Sequence, residues 1–352
     1  MSLAALDDPH SGRRPDGPAD SPATRTLPSL AAVFGGRYRA IAPLRADVDG
    51  RVYRARDDIL ARDVAVKVFH ADPGTASTHP RRLAGARALT AMDHPSLVTL
   101  YDAHLSPQGE GFLVMELIPG PTLRDHLDAV GALRPELAAA VLQDVAHGLA
   151  AIHRVGIVHE HLTSSNILLR PSRSAARPFR GILTEFRLSH LLGGDNPSAR
   201  RASSSDTAEY LPPERVSGGQ PRAESDVYAL GLLALEALTG ERPLSGGAVQ
   251  ELVLAPLSYD PDIPSTFGYG WELLLTAMTD PDPSRRPTAA EVADLASELR
   301  EGADIAAPSA LPEHAPAAAE PVAALRAVDQ SRQTASGYRR RRAVWAWVTH
   351  YR

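Results

Sequence analysis

Residues 63–69 read DVAVKVF, a run of apolar and β-branched residues that predicts a short β-strand. Two similar runs precede it, at residues 37–44 (RYRAIAPL) and 50–55 (GRVYRA), and the residues between them suit turns. Residues 97–103 and 111–117 predict two more strands. The first third of the chain is therefore predicted to be rich in β-structure.

Helical patterns dominate the chain after Pro121. The helices are predicted at residues 81–92, 136–155, 226–238, 270–278 and 288–300. The last of them has Thr288 as its expected N-cap, with Glu291 three residues on. Strands followed by helices are typical of an α+β fold. We predict a bilobal fold with a small β-rich N-lobe over residues 37–117 and a larger helical C-lobe over residues 121–299.

Composition restricts the class of protein. The chain has 352 residues, of which 43% are hydrophobic, enough for a substantial core. It has no cysteine, which excludes disulfides, Cys-ligated zinc and a cysteine nucleophile. The net charge of −5 argues against nucleic acid as a partner. No apolar run approaches the ~20 residues that span a bilayer, and no secretory signal opens the chain. We expect a cytoplasmic protein.

Three flanking segments differ in composition from the central domain at residues 37–299. Residues 1–36 are rich in Pro, Asp, Ser and Ala without periodicity, which predicts a disordered arm. Residues 301–336 form an Ala/Pro-rich stretch that we interpret as a linker. Residues 337–352 contain five Arg, two Trp and two Tyr without an acidic residue, and form a basic-aromatic tail.

Lysine is almost absent, since Lys67 is the only lysine among 37 basic residues. Lysine supplies a compact point charge, whereas arginine supplies a planar fork. Either the position of Lys67 requires that point charge, or the residue is a leftover of an ancestral sequence.

Lys67 lies in the sequence VAVK at residues 64–67. Other motifs follow in order along the chain: His94-Pro95, PPE at 212–214, SDVY at 225–228 and Arg286 in DPSRRP. Together they resemble the protein kinase family, in particular its bacterial Ser/Thr members, over about residues 37–299. In the family the matching lysine contacts the α- and β-phosphates of ATP.

The resemblance implies a retained ATP pocket. Glu116 and Ile118 would belong to the hinge that offers backbone groups to the adenine base. The apolar walls would be formed by Leu44, Val52, Ala65, Met115 and Leu168. These residues would equally suit an ordinary core, and the two interpretations are compatible because ligand pockets are mostly apolar.

The phosphate-binding loop departs from the family pattern. Residues 45–52 align with the glycine-rich loop, and only Gly50 of its glycines remains. Asp47 and Asp49 add negative charge where backbone N–H groups would approach phosphates. The helix glutamate that holds the family's lysine aligns with Gly85, and residues 74–92 contain no acidic residue.

The catalytic loop also departs from the pattern. It aligns with HEHLTSSN at residues 159–166, so His161 stands where the family has its catalytic Asp. Asn166, a metal ligand in the family, remains, and Glu185 replaces the metal-binding Asp of the D-F-G motif. These two residues are the candidate Mg²⁺ ligands. Alternatively, the longer Glu185 pairs with Lys67 and fills the phosphate site. A separate metal site around His159 is disfavoured because its spacing matches no zinc motif.

The kept scaffold and the altered chemistry predict a pseudokinase that acts as a regulatory or scaffold module, with ATP as its ligand and little or no phosphotransfer. The alternative is an atypical but active Ser/Thr protein kinase that uses His161 as its base. A third interpretation is a decayed fold without nucleotide affinity.

The partners implied are signalling proteins. Residues 200–207 (RRASSSDT) resemble a site for a basophilic kinase, which would make Ser203 a substrate position. The tail at residues 338–347 leaves three alternatives: an anionic membrane surface, partner docking or an unstructured end. The first alternative would place the protein peripherally at the inner membrane surface.

Overall fold

The computed structural model describes residues 32–47, 50–70, 91–106, 110–185, 208–242, 249–302 and 338–340. Its strands are β1 (Val33–Phe34), β2 (Tyr38–Asp47), β3 (Gly50–Asp57), β4 (Arg62–His70), β5 (Leu100–Leu105), β6 (Glu110–Glu116), β7 (Ile167–Pro171), β8 (Phe179–Leu183), β9 (Tyr259–Pro261) and β10 (Tyr338–Arg340). Its helices are α1 (Leu123–Val130), α2 (Pro135–Arg154), α3 (Pro213–Val216), α4 (Ala223–Thr239), α5 (Val249–Ser258), α6 (Tyr269–Met278) and α7 (Ala289–Glu301).

The N-lobe is a six-stranded antiparallel sheet in the order β1-β2-β3-β4-β6-β5. The central strand β4 carries Lys67 opposite Val52 on one neighbour and Leu113 on the other. This register places the lysine beside the apolar residues predicted to hold adenine. The five strands predicted from the sequence are all present, within a few residues at their ends.

The predicted arm at residues 1–36 needs one correction. Val33 and Phe34 form β1 and pair with Arg39 and Tyr38 of β2, so the sheet begins before residue 37. A two-residue strand has too short a pattern to be recognised, and it is held by pairing with β2. Residues 1–31 lie outside the described part of the chain.

The C-lobe is built around α2 and α4. Every residue of α4 from 225 to 238 is buried. Gly231 lets this helix approach the end of α6, because a Cβ there would lie 2.9 Å from Thr279 Cγ2. Helix α7 begins at the predicted N-cap, where the Thr288 hydroxyl and the Glu291 carboxylate form a capping box. The helices predicted at 136–155, 226–238, 270–278 and 288–300 are therefore confirmed.

Several elements were not predicted. Helix α1 starts at a capping box between Thr122 and Asp125, and β7 and β8 form a hairpin between the lobes. The helix predicted at residues 81–92 falls mostly outside the described residues, as does the linker. Three tail residues are described, as β10 paired with β9. Among the described residues, no helix has the length and apolar character needed to cross a membrane.

Candidate nucleotide and phosphotransfer site

The catalytic loop is anchored from below by Asp226 at the start of α4. One oxygen of Asp226 accepts the backbone N–H of His159 at 2.8 Å, and the other accepts that of Glu160 at 2.9 Å. The ring of His153 on α2 contacts the same carboxylate at 2.8 Å. Glu160 has φ of 65°, a left-handed conformation that costs about 1–3 kcal/mol for a non-glycine residue. The anchor thus holds a strained turn in place.

His159 is a structural residue of this loop. It is 1% exposed, and its Nε2 lies 2.9 Å from the carbonyl oxygen of Thr184. Burial lowers the pKa of His159, which keeps its ring neutral at physiological pH. Its Nδ1 accepts the backbone N–H of His161 at 3.3 Å. These contacts make His159 a buried structural histidine of the core.

His161, at the position of the catalytic Asp, is tied to Asn166. The Asn166 side-chain amide donates to the His161 carbonyl oxygen at 2.8 Å and lies 3.3 Å from ring Nδ1. An amide can only donate to that nitrogen, so Nδ1 is the acceptor and a neutral ring carries its proton on Nε2. In this tautomer the ring has no second lone pair to take a proton from a substrate hydroxyl.

Lys67 and Glu185 form an ion pair between the lobes. Lys67 Nζ donates to Glu185 Oε2, and the two side chains are only 9% and 10% exposed. Glu185 follows β8 with φ of 64°, again in the left-handed region. The pairing that the sequence raised as an alternative is therefore present. The Glu185 carboxylate binds the Lys67 ammonium group, which contacts ATP phosphates in the family.

Arg45 makes a second contact between the lobes. Its guanidinium donates to the carbonyl oxygen of Ser165 in the catalytic loop. Gly50 lies opposite Asp47 in the pairing of β2 with β3, and a Cβ on Gly50 would lie 2.3 Å from the carbonyl oxygen of Val68. Strand packing alone thus explains why this glycine remains, without any contact to phosphate.

The predicted adenine walls lie mostly together. Ala65 and Met115 are buried in the main core, and Val52 and Leu168 pack against its edge. Leu44 is 51% exposed and is the one member that the structure leaves outside this group. In the hinge, Ile118 is buried, and the Glu116 carboxylate accepts from Arg170 at 2.7 Å.

The predicted metal ligands fit Mg²⁺ poorly as arranged. Asn166 directs its amide at His161, and Glu185 is engaged by Lys67. Among the described residues, no group of three or more His, Asp or Glu could hold a metal ion. Mg²⁺ in kinase sites is held by one or two carboxylates together with phosphate oxygens and waters, so Glu185 would have to leave Lys67 to serve as a ligand.

The structural ion pair of the C-lobe is complete. Arg286 donates to both oxygens of Glu214, at 2.8 and 2.9 Å, and Ser225 donates to the same carboxylate at 2.7 Å. Burial alone would raise the pKa of Glu214, but the hydrogen bonds from Arg286 and Ser225 outweigh it and lower that pKa. The guanidinium also lies 4.8 Å from the centre of the Tyr228 ring.

A second buried carboxylate was not recognised from the sequence. Glu236 on α4 is 0% exposed and accepts from Arg124, Tyr210 and, at 2.9 Å, Ser164. Burial raises the pKa of Glu236 and that of Tyr210. The signal for this network was a single acidic residue inside the otherwise apolar run of residues 227–238. The hydrogen bonds to Glu236 link α4 to the catalytic loop, to α1 and to the chain before α3.

Some predicted residues cannot be placed. Asp49, Gly85 and Ser203 lie outside the described residues, as do Phe186 and Arg187 after Glu185.

A β-rich N-lobe is joined to a helical C-lobe, and strand β4 with Lys67 faces the catalytic loop that Asp226 anchors. This arrangement defines the architecture of a protein kinase. The family model of the protein kinase domain matches residues 48–296. The chain belongs to the protein kinase family. The kinase domain of Mycobacterium tuberculosis PknI shares the fold, with a TM-score of 0.58 and 21% identity over 78% of this chain and 100% of that structure.

Curated relatives are bacterial Ser/Thr protein kinases. The serine/threonine-protein kinase pkn2 of Myxococcus xanthus is 34% identical over 275 residues, 74% of this chain and 32% of that protein. PknB of Mycobacterium leprae is 32% identical over 254 residues, 69% of this chain and 40% of PknB. PknL of Mycobacterium bovis is 35% identical over 242 residues, 67% of this chain and 57% of PknL. The chain therefore matches about a third to a little over half of the length of these relatives.

Proposed function

We propose that this protein is a pseudokinase, a kinase-fold regulatory or scaffold module that binds ATP in its apolar pocket but transfers phosphate poorly or not at all. The observation that carries the proposal is the ion pair between Lys67 and Glu185. It engages both the phosphate-binding lysine and the metal-position carboxylate of the family in one contact. Protein kinases use ATP with Mg²⁺, and the family's catalysis depends on those two groups acting separately.

The catalytic loop supports the same proposal. His161 replaces a carboxylate base, and its contact with Asn166 leaves the neutral ring without a second acceptor. Loss of a positioned base costs ~10²–10⁴-fold in rate. Lys67 is engaged by Glu185, and the metal and base positions carry substituted residues. We therefore expect the total loss of phosphotransfer rate to exceed the loss from any one of these changes.

The retained scaffold supports a binding role rather than a decayed fold. The Asp226 anchor and the Glu214–Arg286 pair keep the catalytic loop and the C-lobe in place. We further propose signalling proteins as partners and a cytoplasmic location. The proposal retains Ser203 as a position for another kinase and segment 338–347 as a candidate contact for an anionic membrane surface.

A phosphotransfer assay tests the proposal. The full chain is incubated with γ-labelled ATP and Mg²⁺, alone and with a generic basic protein substrate, beside the Lys67→Met variant. The proposal expects incorporation no greater than that of Lys67→Met in both settings. Incorporation that is clearly above this background and is lost in Lys67→Met would instead establish the alternative, an atypical active Ser/Thr kinase.

A further inference from the structure

The short strand β9 of the C-lobe is paired with the chain's own tail. Tyr338–Arg340 (β10) runs antiparallel to Tyr259–Pro261 (β9), with Tyr338 opposite Pro261, Arg339 opposite Asp260 and Arg340 opposite Tyr259. Strand β9 directly follows α5, and α5 packs against α3, which contains the last two residues of the PPE motif. The tail strand β10 therefore extends the C-lobe by pairing with β9, although about 75 residues of sequence separate the two strands.

Without β10, β9 would be an open edge. Among the described strands, β10 is its only partner. A strand edge with unpaired backbone N–H and C=O groups is a template for another extended segment. Pro261 lacks an N–H, which limits the pairing at one end of the strand.

Charge favours a basic occupant for this edge. Residues 259–262 read YDPD, with acidic residues at positions 260 and 262, both half-buried. The tail reads YRRRR over residues 338–342 and has no acidic residue from 337 to 352. The register sets Arg339 directly opposite Asp260, and opposite charges at facing positions stabilise antiparallel pairs.

We propose that β9 is a docking strand for an extended basic segment and that its occupant is the tail of the same chain at residues 338–340. Three paired residues bind weakly between separate molecules, but covalent attachment to the same chain raises the effective concentration of the tail, into the millimolar range for short linkers. The inference does not depend on nucleotide binding or on the loss of phosphotransfer.

Disulfide trapping tests the register, because the natural chain has no cysteine. The full chain carries the matched pair Asp260→Cys with Arg339→Cys. Two shifted pairs serve as controls, Asp260→Cys with Gly337→Cys and Asp260→Cys with Arg341→Cys. A shift of two residues moves the partner by about 7 Å along the strand, beyond good disulfide geometry. Each variant is first checked for an unchanged melting temperature.

The proposal expects the matched pair to form an intramolecular disulfide at least about fivefold faster than either shifted pair, since docking concentrates one register. Peptide mapping after mild oxidation measures the yield. Equal rates for matched and shifted pairs would overturn the proposal. A disulfide-linked dimer as the main matched product would also overturn it, because the occupant would then be the tail of a second copy.

A charge exchange tests the chemistry of the occupant. In the pair Tyr259→Cys with Arg340→Cys, Asp260→Lys is expected to slow trapping several-fold. Adding Arg339→Glu to Asp260→Lys is expected to restore the rate, because the facing charges become opposite again. A trapping rate unaffected by Asp260→Lys would contradict a site selective for basic segments.

Discussion

Lys67 donates to the carboxylate of Glu185 across the cleft between the lobes, so the only lysine of the chain binds the residue at the family's metal position. Taking both charges out of water is expensive, and the pair is stable only while both members are present. A bound nucleotide phosphate would have to compete with Glu185 for Lys67. We expect this competition to weaken the binding of phosphate groups in the cleft.

Restoring the catalytic carboxylate alone should not restore a kinase. We expect His161→Asp to raise phosphotransfer by less than about tenfold, well short of the ~10²–10⁴-fold that a positioned base supplies. The reason is that Lys67 and Glu185 remain engaged with each other. Labelled-ATP incorporation measures the effect, with His161→Asn as a control that has similar size and no base. A gain of a hundredfold or more would mean that the base was the only missing part.

Removing one partner of the buried Glu214–Arg286 pair should strongly destabilise the protein. We expect Glu214→Ala to lower the free energy of unfolding by about 3–5 kcal/mol, because it leaves the guanidinium of Arg286 buried without its partner. Urea unfolding monitored by circular dichroism measures the change. Glu272→Ala, on an exposed face of α6, is the control and should stay within about 0.5 kcal/mol. Similar stabilities for the two variants would contradict the structural role of the pair.

Asp57 should make the N-lobe sensitive to acid. Hydrogen bonds from Arg37 and from the backbone of Leu60 and Ile59 lower the pKa of Asp57 to about 2, from 3.8. A lowered folded-state pKa means that the stabilisation is full above pH 3.8 and is lost as the pH falls through about 2.

Melting temperatures across this range test the effect. The gap between the wild type and Asp57→Asn should stay constant above pH 3.8 and narrow as the pH falls toward about 2. Asp294→Asn, at an exposed position on α7, is the matched control. A constant gap for Asp57→Asn would show that its carboxylate does not titrate in this way.

The buried Glu236 should depend on the hydroxyl of Tyr210. We expect Tyr210→Phe to lower the free energy of unfolding by about 1–3 kcal/mol, because a buried carboxylate loses one of its donors. Tyr269→Phe is a matched control, since Tyr269 is 64% exposed. Chemical denaturation compares the two variants. Equal effects would mean that Arg124 and Ser164 satisfy Glu236 by themselves.

The sequence was sufficient for the lobes and the main elements because their patterns are local. The strand around Lys67 and the capping box at Thr288 each lie within a few consecutive residues. The motifs that carry the kinase resemblance contain Asp226, Glu214 and Arg286, and the structure places these residues in the loop anchor and in the buried ion pair.

What the sequence could not decide depends on contacts between distant residues. Lys67 and Glu185 are 118 positions apart, and either a metal or the lysine was a reasonable partner for the carboxylate. The Glu236 network joins residues from four separate segments. The pairing of β10 with β9 joins three-residue strands that have no detectable pattern. Packing, rather than local propensity, selects these partners.

The most direct test is a calorimetric titration of ATP, with and without Mg²⁺, into the wild type, Glu185→Gln and Lys67→Met. If Glu185 competes with phosphate, wild-type binding needs no Mg²⁺, and Glu185→Gln binds ATP about tenfold more tightly, a gain of ~1.4 kcal/mol. Lys67→Met should lose affinity. Binding that requires Mg²⁺ and disappears in Glu185→Gln would contradict the account, because Glu185 would then be a metal ligand of a working kinase.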